Sequence, residues 1–271
     1  MLNLARRKKM PTLKQTLLAF ALLALAVPAY AAPTAQINIP STDAKGLKEL
    51  AISVTNYTRF SSKSNAGPNS YALGVETGLL PFENVKLEVG VDYVTTGSGS
   101  ETDDHPFYFN AKLATAEELG AKWMPAFAIG IFNAGTYDRP ASGVSTRQNI
   151  AYLLAAKTLP VIGRLSAGGY LGSQRALRTP ANPHNNSGVL ASWDRTIAEV
   201  SDKLWLGADY LSGNNANGEV SVGAAWNFTK QISVLAGVVW YNPFYKLSDA
   251  DGGSSPGGKP AFTTQLTINL P

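Results

Sequence analysis

The stretch VKLEVGVDYV, residues 85–94, decides the fold. Val85, Leu87, Val89, Val91 and Tyr93 fall on one face of an extended chain, and Lys86, Glu88, Gly90 and Asp92 fall on the other. Side chains alternate sides along a strand, so this is a strand with one apolar and one polar face. The apolar face must meet either a soluble core or lipid. The choice between those two surroundings sets the architecture of the whole chain.

The chain has 271 residues and no cysteine, which removes disulfides, thiolate metal sites and a lipoprotein anchor. Its net charge of +4 is unevenly placed. Residues 1–32 hold five of the 23 basic residues (Arg6, Arg7, Lys8, Lys9 and Lys14) and no acid, so the remainder carries 18 basic against 19 acidic residues. A near-neutral body lacks the electrostatic footprint of a nucleic-acid binder. Residues 1–32 have the layout of a secretory signal peptide: a basic start, the apolar run Leu17–Val27, then AYA with Ala29 and Ala31 at the small-residue positions of a cleavage site near Ala31 or Ala32. The apolar run has 11 residues, whereas a membrane-spanning helix needs about 20. After residue 32 the longest apolar run, Trp123–Phe132, has ten residues and contains Pro125 and Gly130, so no helical span is expected.

Residues 33–48 read as a loose periplasmic leader. From there twelve strands are expected, near 49–58, 70–79, 85–94, 106–114, 122–133, 147–158, 162–171, 189–199, 203–212, 218–228, 231–241 and 261–270. Most are about ten residues long, the length of a tilted strand crossing a bilayer, against about five or six in soluble sheets. Connections after odd-numbered strands are mostly long, such as SQRALRTPANPHNNSG, and those after even-numbered strands are mostly short, such as LPVI and TK. GNNAN and TAEELGAK break the pattern, one in each direction. Loop length sorted by parity puts long loops on one rim of a barrel and tight turns on the other.

The same parity assigns depth. Tyr71, Tyr93, Phe107, Tyr210, Trp240 and Phe262 fall outward at the loop-side rim, and Trp123, Trp226 and Phe228 at the turn-side rim. Between them stand aliphatics such as Leu73, Val75, Leu87, Val89, Ile129, Leu206, Val222, Val234 and Leu266. Two aromatic girdles flanking an aliphatic band are what a lipid-facing surface requires. The opposite face carries Glu76, Lys86, Glu88, Asp92, Asn110, Lys112, Lys157, Arg164, Asp209, Glu219, Asn227 and Gln265. Unpaired charges in a dry core would cost several kcal/mol. A hydrated lumen accommodates them, so these residues are the lumen-lining candidates. They would either set up a transverse field for polar solutes or pair with one another to brace a narrow barrel. Twelve strands at a spacing of about 4.8 Å and a tilt near 40° give a backbone radius of roughly 12 Å.

On these residues the chain resembles the porin-like outer-membrane β-barrels of Gram-negative bacteria over residues 49–270. The final strand, AFTTQLTINL, turns Phe262, Thr264, Leu266, Ile268 and Leu270 outward as the terminal assembly signal of such barrels does. Those proteins usually end on an aromatic, whereas here Leu270 precedes Pro271. In ASWDRTIAE, Arg195 shares a face with Trp193 and Ile197, which implies a kink or a different register. The fold expected is all-β, a single 12-stranded antiparallel up-and-down transmembrane β-barrel.

The expected role is a porin-like channel in the cell outer membrane, passing small polar solutes or ions by diffusion with weak charge selectivity. Outer-membrane lipid is its expected surrounding, and no cofactor, metal or nucleic acid is expected. The alternative is a closed barrel that docks a partner through its loops or lumen, with residues 33–48 or 242–260 as the candidate filling. Hydrolase signatures are thin. A barrel phospholipase needs His and Ser together on a strand, and His105 and His184 both fall in loops, the latter near Ser187. A barrel protease of the omptin type needs Asp–Asp and Asp–His pairs, and DDH at 103–105 supplies a single cluster. The run SDADGG at 248–253 opens like a calcium loop but lacks the downstream Glu. No enzyme activity is therefore expected.

Overall fold

A computed structural model describes residues 34–139, 144–178, 185–245 and 255–271. The signal-peptide reading falls on residues outside that set. Twelve strands follow one another: β1 (Leu50–Arg59), β2 (Ser70–Gly78), β3 (Val85–Thr95), β4 (Phe107–Thr115), β5 (Ala126–Arg139), β6 (Val144–Leu159), β7 (Gly163–Leu171), β8 (Ser187–Thr196), β9 (Leu204–Leu211), β10 (Glu219–Asn227), β11 (Ile232–Tyr241) and β12 (Ala261–Leu270). Each pairs antiparallel with its sequence neighbours, and β1 closes the ring on β12 from Leu50↔Leu270 to Arg59↔Ala261. A closed ring leaves no edge strand, so every ladder hydrogen bond is made within the sheet. None of the described helices is long and apolar enough to cross a membrane.

The alternation in VKLEVGVDYV is carried into the barrel. Glu88 is buried inside, whereas Tyr93 is exposed outside beside Phe107, the two rings meeting edge-on at 5.7 Å. Leu73, Val54 and Ile129 present 48%, 48% and 57% of their surface on the outer face. Trp226, Trp240, Phe262 and Tyr71 are exposed near the strand ends, and Tyr210 packs edge-on against Phe244. Trp123 and Phe228 stand just beyond their strands, in the β4–β5 and β10–β11 connections.

Two strands depart from expectation. β5 and β6 run 14 and 16 residues, past the ends expected at 133 and 147. Their register shifts between Phe132 and Ala134, beside left-handed Asn133 (φ 53°) and Asn149 (φ 46°). Asparagine tolerates that backbone region. This shift leaves one extra residue on β6, and a second, between Ala134 and Asp138, leaves two extra on β5, before pairing resumes at Asp138↔Ser145 and Arg139↔Val144. β8 stops at Thr196, so Ile197 lies in the following turn. Arg195 on its outer face pairs with Glu199 at the turn-side rim, and the Trp193 indole donates to the Ile162 carbonyl at 2.7 Å.

The inner face is less uniform than its sequence implied. Ile150, Tyr152 and Leu154 of β6, with Leu190 and Leu211, are buried inside the barrel around Ile39. A second group joins Trp205, Ala225 and Leu235 to Ile37. Both groups exist because the chain's own N-terminal segment lies in the lumen.

Candidate functional site

Residues 34–48 are not a loose leader, and that expectation is corrected. They form a tight hairpin inside the barrel, closed by an Ala35↔Pro40 bridge and by hydrogen bonds from Gln36 N to Ile39 O (2.8 Å) and from Ser41 N to Thr34 O (3.2 Å). Apolar Ile37 and Ile39 flank polar Asn38 at its tip. Pairing with a distant wall is what makes this polar segment ordered, so composition alone could not place it.

The wall holds the hairpin from several sides. At the tip, the backbone N–H groups of Ile37, Asn38 and Ile39 all donate to one Asp209 oxygen, at 2.9, 2.7 and 3.2 Å. Successive N–H groups aimed at one point make an anion nest, and Asp209, 3% exposed on β9, supplies the anion. The Asn38 side chain donates to Ser221 Oγ at 2.7 Å and accepts from the Tyr57 hydroxyl at 2.5 Å. The Ile37 carbonyl accepts from Gln265 at 2.7 Å.

The arms are held by charge. Lys112 on β4 pairs with Glu88 on β3 at 3.0 Å and donates to the Thr34 carbonyl at 2.6 Å. The same Glu88 accepts from the backbone N–H of Lys45 at 2.9 Å, so one ion pair grips both arms. Across the lumen Arg164 bridges Asp194 (2.9 Å) and Asp43 (2.7 Å). Asp194 also accepts from Gln36 at 2.9 Å and from the Trp205 indole at 3.3 Å. Thr34 donates to Glu76 at 2.5 Å, and Lys45 Nζ donates to Asn269. Charge-assisted bonds of this kind are worth about 1.5–3 kcal/mol each, against about 0.5–1.5 for neutral ones.

The hairpin does not fill the lumen. A cavity of about 770 Å³ lies on the β1–β2 side, lined along the height of β1 by Ala51, Ser53, Thr55, Tyr57 and Arg59. A second, of about 170 Å³, shares Glu76, Asp92 and Asn38 with the first. At the loop side the large cavity reaches Pro68 and residues 256–258. There Arg59 stacks on Tyr241 at 4.4 Å and donates to the carbonyls of Pro68 (3.0 Å) and Lys259 (2.5 Å).

The candidates from sequence thus separate by place. Glu76, Glu88, Lys112, Arg164, Asp209 and Gln265 meet the hairpin through the contacts above. Asp92 accepts from Asn110 at 2.5 Å and faces both cavities, and Glu219 is buried beside the larger one. Lys86 shares the inner face with Glu88 but sits near the turn-side end of β3, and Asn227 reaches the Lys203 carbonyl at the turn-side end of β10. Lys157 is a correction. It alternates with buried Tyr152, Leu154 and Ala156, so it belongs to the outer face, where it pairs with Glu117 (2.9 Å) and Glu118 (3.4 Å) at the turn-side rim. The apolar inner stripe of β6 hides this parity, because both faces of IAYLLAAKTL are apolar. Asp194, Tyr57, Asn38 and Asp43 were not singled out in the sequence. Asp194 sits beside Arg195 in the irregular ASWDRTIAE stretch, the signal that its strand carried something unusual.

The loop residues weighed for chemistry have other occupations. Asp103 accepts from the Thr96 backbone at 2.6 Å and from Thr95, Thr96, Ser98 and Ser100 around it. The Thr96 N–H, with the other donors, holds its carboxyl well below the usual carboxylate range. His105 stacks on Tyr137 at 3.7 Å, and the Tyr137 hydroxyl donates to Glu101 at 2.5 Å. His184 and the SDADGG run lie outside the described residues.

No family model matches the chain, and no curated protein matches it. Several solved barrels are similar. An OmpF of Salmonella typhi, in complex with daunomycin, is 9% identical, with 82% of this chain and 96% of that chain covered and a TM-score of 0.41. A Rh. blastica porin variant is 12% identical over 87% of this chain and 66% of that one, with a TM-score of 0.39. The outer membrane phospholipase dimer of Salmonella typhi, with bound calcium, is 11% identical over 83% and 90%, with a TM-score of 0.42. Likeness at this level is one of fold. The set includes both pores and an enzyme.

Proposed function

We propose that this chain is an outer-membrane channel of porin-like type that passes small polar solutes or ions through a lumen narrowed by its own N-terminal hairpin. The observation that carries this reading is the cavity of about 770 Å³ that follows β1 from Ala51 to Arg59, with Ser53, Thr55, Glu76 and Asp92 in its lining. In this reading it is the wet part of a route past the hairpin. The outward aliphatic band with aromatic ends supports placement in a bilayer. Purified protein in a planar bilayer is expected to give discrete conductance steps smaller than those of an open barrel. Lasting electrical silence from folded protein would reject the channel.

A second reading, the closed barrel that docks a partner, is favoured by the density of bonds between hairpin and wall. It expects silence from the intact chain and steps only after residues 33–46 are removed.

A further inference from the structure

Resting on the channel reading, we propose that the N-terminal hairpin is a displaceable gate: its tip is latched by the Asp209 carboxylate, and it swings as a unit about the Gly46–Lys48 stem through the turn-side mouth. The hairpin takes no part in the barrel sheet. Among the described residues its one ladder contact with a strand is the Leu47↔Gly78 bridge at the turn-side end of β2. Beside that bridge Lys48 takes the left-handed backbone (φ 66°), and Leu47 and Lys48 are exposed. The stem is therefore a narrow, solvent-facing joint, while the body of the hairpin is internally closed by its own bonds.

The grip inside is of a kind that water can replace. Apart from Ile37, Ile39 and Ala44, the contacts are hydrogen bonds and ion pairs, and the cavity adjoins the β1–β2 side of them. On withdrawal Glu88 keeps Lys112 and Asp194 keeps Arg164, since both pairs lie within the wall. Asp209 keeps Ser221 beside it in the wall but loses three backbone N–H donors at once, the densest set of hairpin bonds on a single wall group, so the tip contact is the one whose loss separates the two states. The Asp209 wall position is thus a receptor for a turn that points three backbone N–H groups at one carboxylate.

The native chain lacks cysteine, so a single engineered pair tests this in the full-length protein. In the Asn38→Cys, Ser221→Cys variant, oxidation should join tip to wall, because the native side chains are already in contact at 2.7 Å. Reduced channels are expected to show brief excursions to a larger conductance. Oxidation should suppress those excursions at least tenfold, and dithiothreitol should restore them. Asp209→Ala, without the cross-link, should raise their frequency on the order of tenfold, the ratio equivalent to about 1.4 kcal/mol. A synthetic peptide of residues 33–46 added from the turn side should block a chain lacking those residues. Identical levels and dwell times in oxidised and reduced channels would overturn the gate while leaving the channel reading intact. Failure of the pair to cross-link in the folded barrel would overturn the gate as well. Silence of every form, including the deletion, would remove both.

Discussion

At Gly78 the hairpin stem lies directly against the barrel wall, and replacing it with alanine tests the seating of the whole segment. A Cβ at Gly78 would stand 2.0 Å from the Gly46 carbonyl oxygen and 2.4 Å from that of Lys45. Both are backbone atoms, so no side-chain rotation relieves the overlap, and the stem must retreat by roughly 1.4 Å to reach van der Waals contact. That movement strains two hydrogen bonds, from Lys48 N to Gly78 O (3.1 Å) and from Gly78 N to Glu49 O (3.2 Å). Losing both costs about 1–3 kcal/mol. One or two kcal/mol corresponds to a factor of about 5–30 in the population of a released stem. The β2–β3 ladder is untouched, because Gly78 keeps its partner Glu88. Gly78→Ala should therefore leave the barrel folded in detergent while making residues 34–48 cleavable by protease and the conductance noisier. Gly169→Ala is the control, since a Cβ there meets nothing closer than the Gly188 carbonyl at 3.5 Å. Equal protease resistance and equal noise in the two variants would show that the stem is not seated against Gly78.

Other perturbations probe the remaining contacts. Arg164→Met leaves Asp43 and Asp194 facing each other without their cation, and breaking a buried pair costs about 3–5 kcal/mol, discounted here because Arg164 keeps 15% side-chain exposure; the melting midpoint in micelles should fall, and an unchanged midpoint would deny the bridge. Lipids brominated along their chains should quench Trp226 and Trp240 on the outer face and spare lumenal Trp205, as read from single-tryptophan variants; strong quenching of Trp205 would reverse the assignment of faces. Asp103 has a folded-state carboxyl held below its unfolded value, so the order it confers on the 96–105 loop is present above the ordinary aspartate range and is lost as pH falls through the lowered value. Loop cleavage by a protease active in acid should therefore stay slow at pH 4 in the native chain and be rapid in Asp103→Asn; equal rates would refute the capping role.

The barrel is legible because its outer face is apolar at most positions. Strands such as VKLEVGVDYV and, but for Thr264, AFTTQLTINL set apolar side chains at every second position, so number, order and approximate ends of the strands follow from period and loop parity. The lumen obeys no such rule. Its occupant comes from residues 34–48, a polar stretch with no periodicity, and the wall residues that hold it come from strands far apart in sequence. Ile150, Tyr152 and Leu154 face inward because Ile39 covers them, and their hydrophobicity then reads as a second outer face. For that reason Lys157, which faces outward, reads in the sequence as an inward residue. Glu88, Arg164 and Asp209 were recognisable as inward charges, but the identity of their partners depends on a hairpin whose position only the closed fold creates.

The same asymmetry of the wall explains where the cavity beside the hairpin lies. The hairpin turns Ile37 toward Trp205, Ala225 and Leu235 and Ile39 toward Tyr152, Leu154 and Leu190. Burying an isoleucine side chain contributes about 1.5–3 kcal/mol, so these two residues bias the segment toward the β6–β11 side of the barrel. The opposite wall offers Ser53, Thr55, Glu76 and Asp92, whose polar groups are better served by water than by an apolar tip. A uniformly polar wall would let the segment wander, and a uniformly apolar one would draw it across the whole bore. A wall apolar on one side and polar on the other seats the hairpin off-centre and leaves the cavity beside it. Exchanging Ile39 for serine should therefore loosen the seating without altering the charged grip. The measurable consequence is a conductance that wanders between levels while the Lys112–Glu88 and Arg164–Asp194 pairs, both internal to the wall, continue to hold the barrel's melting point near that of the native chain.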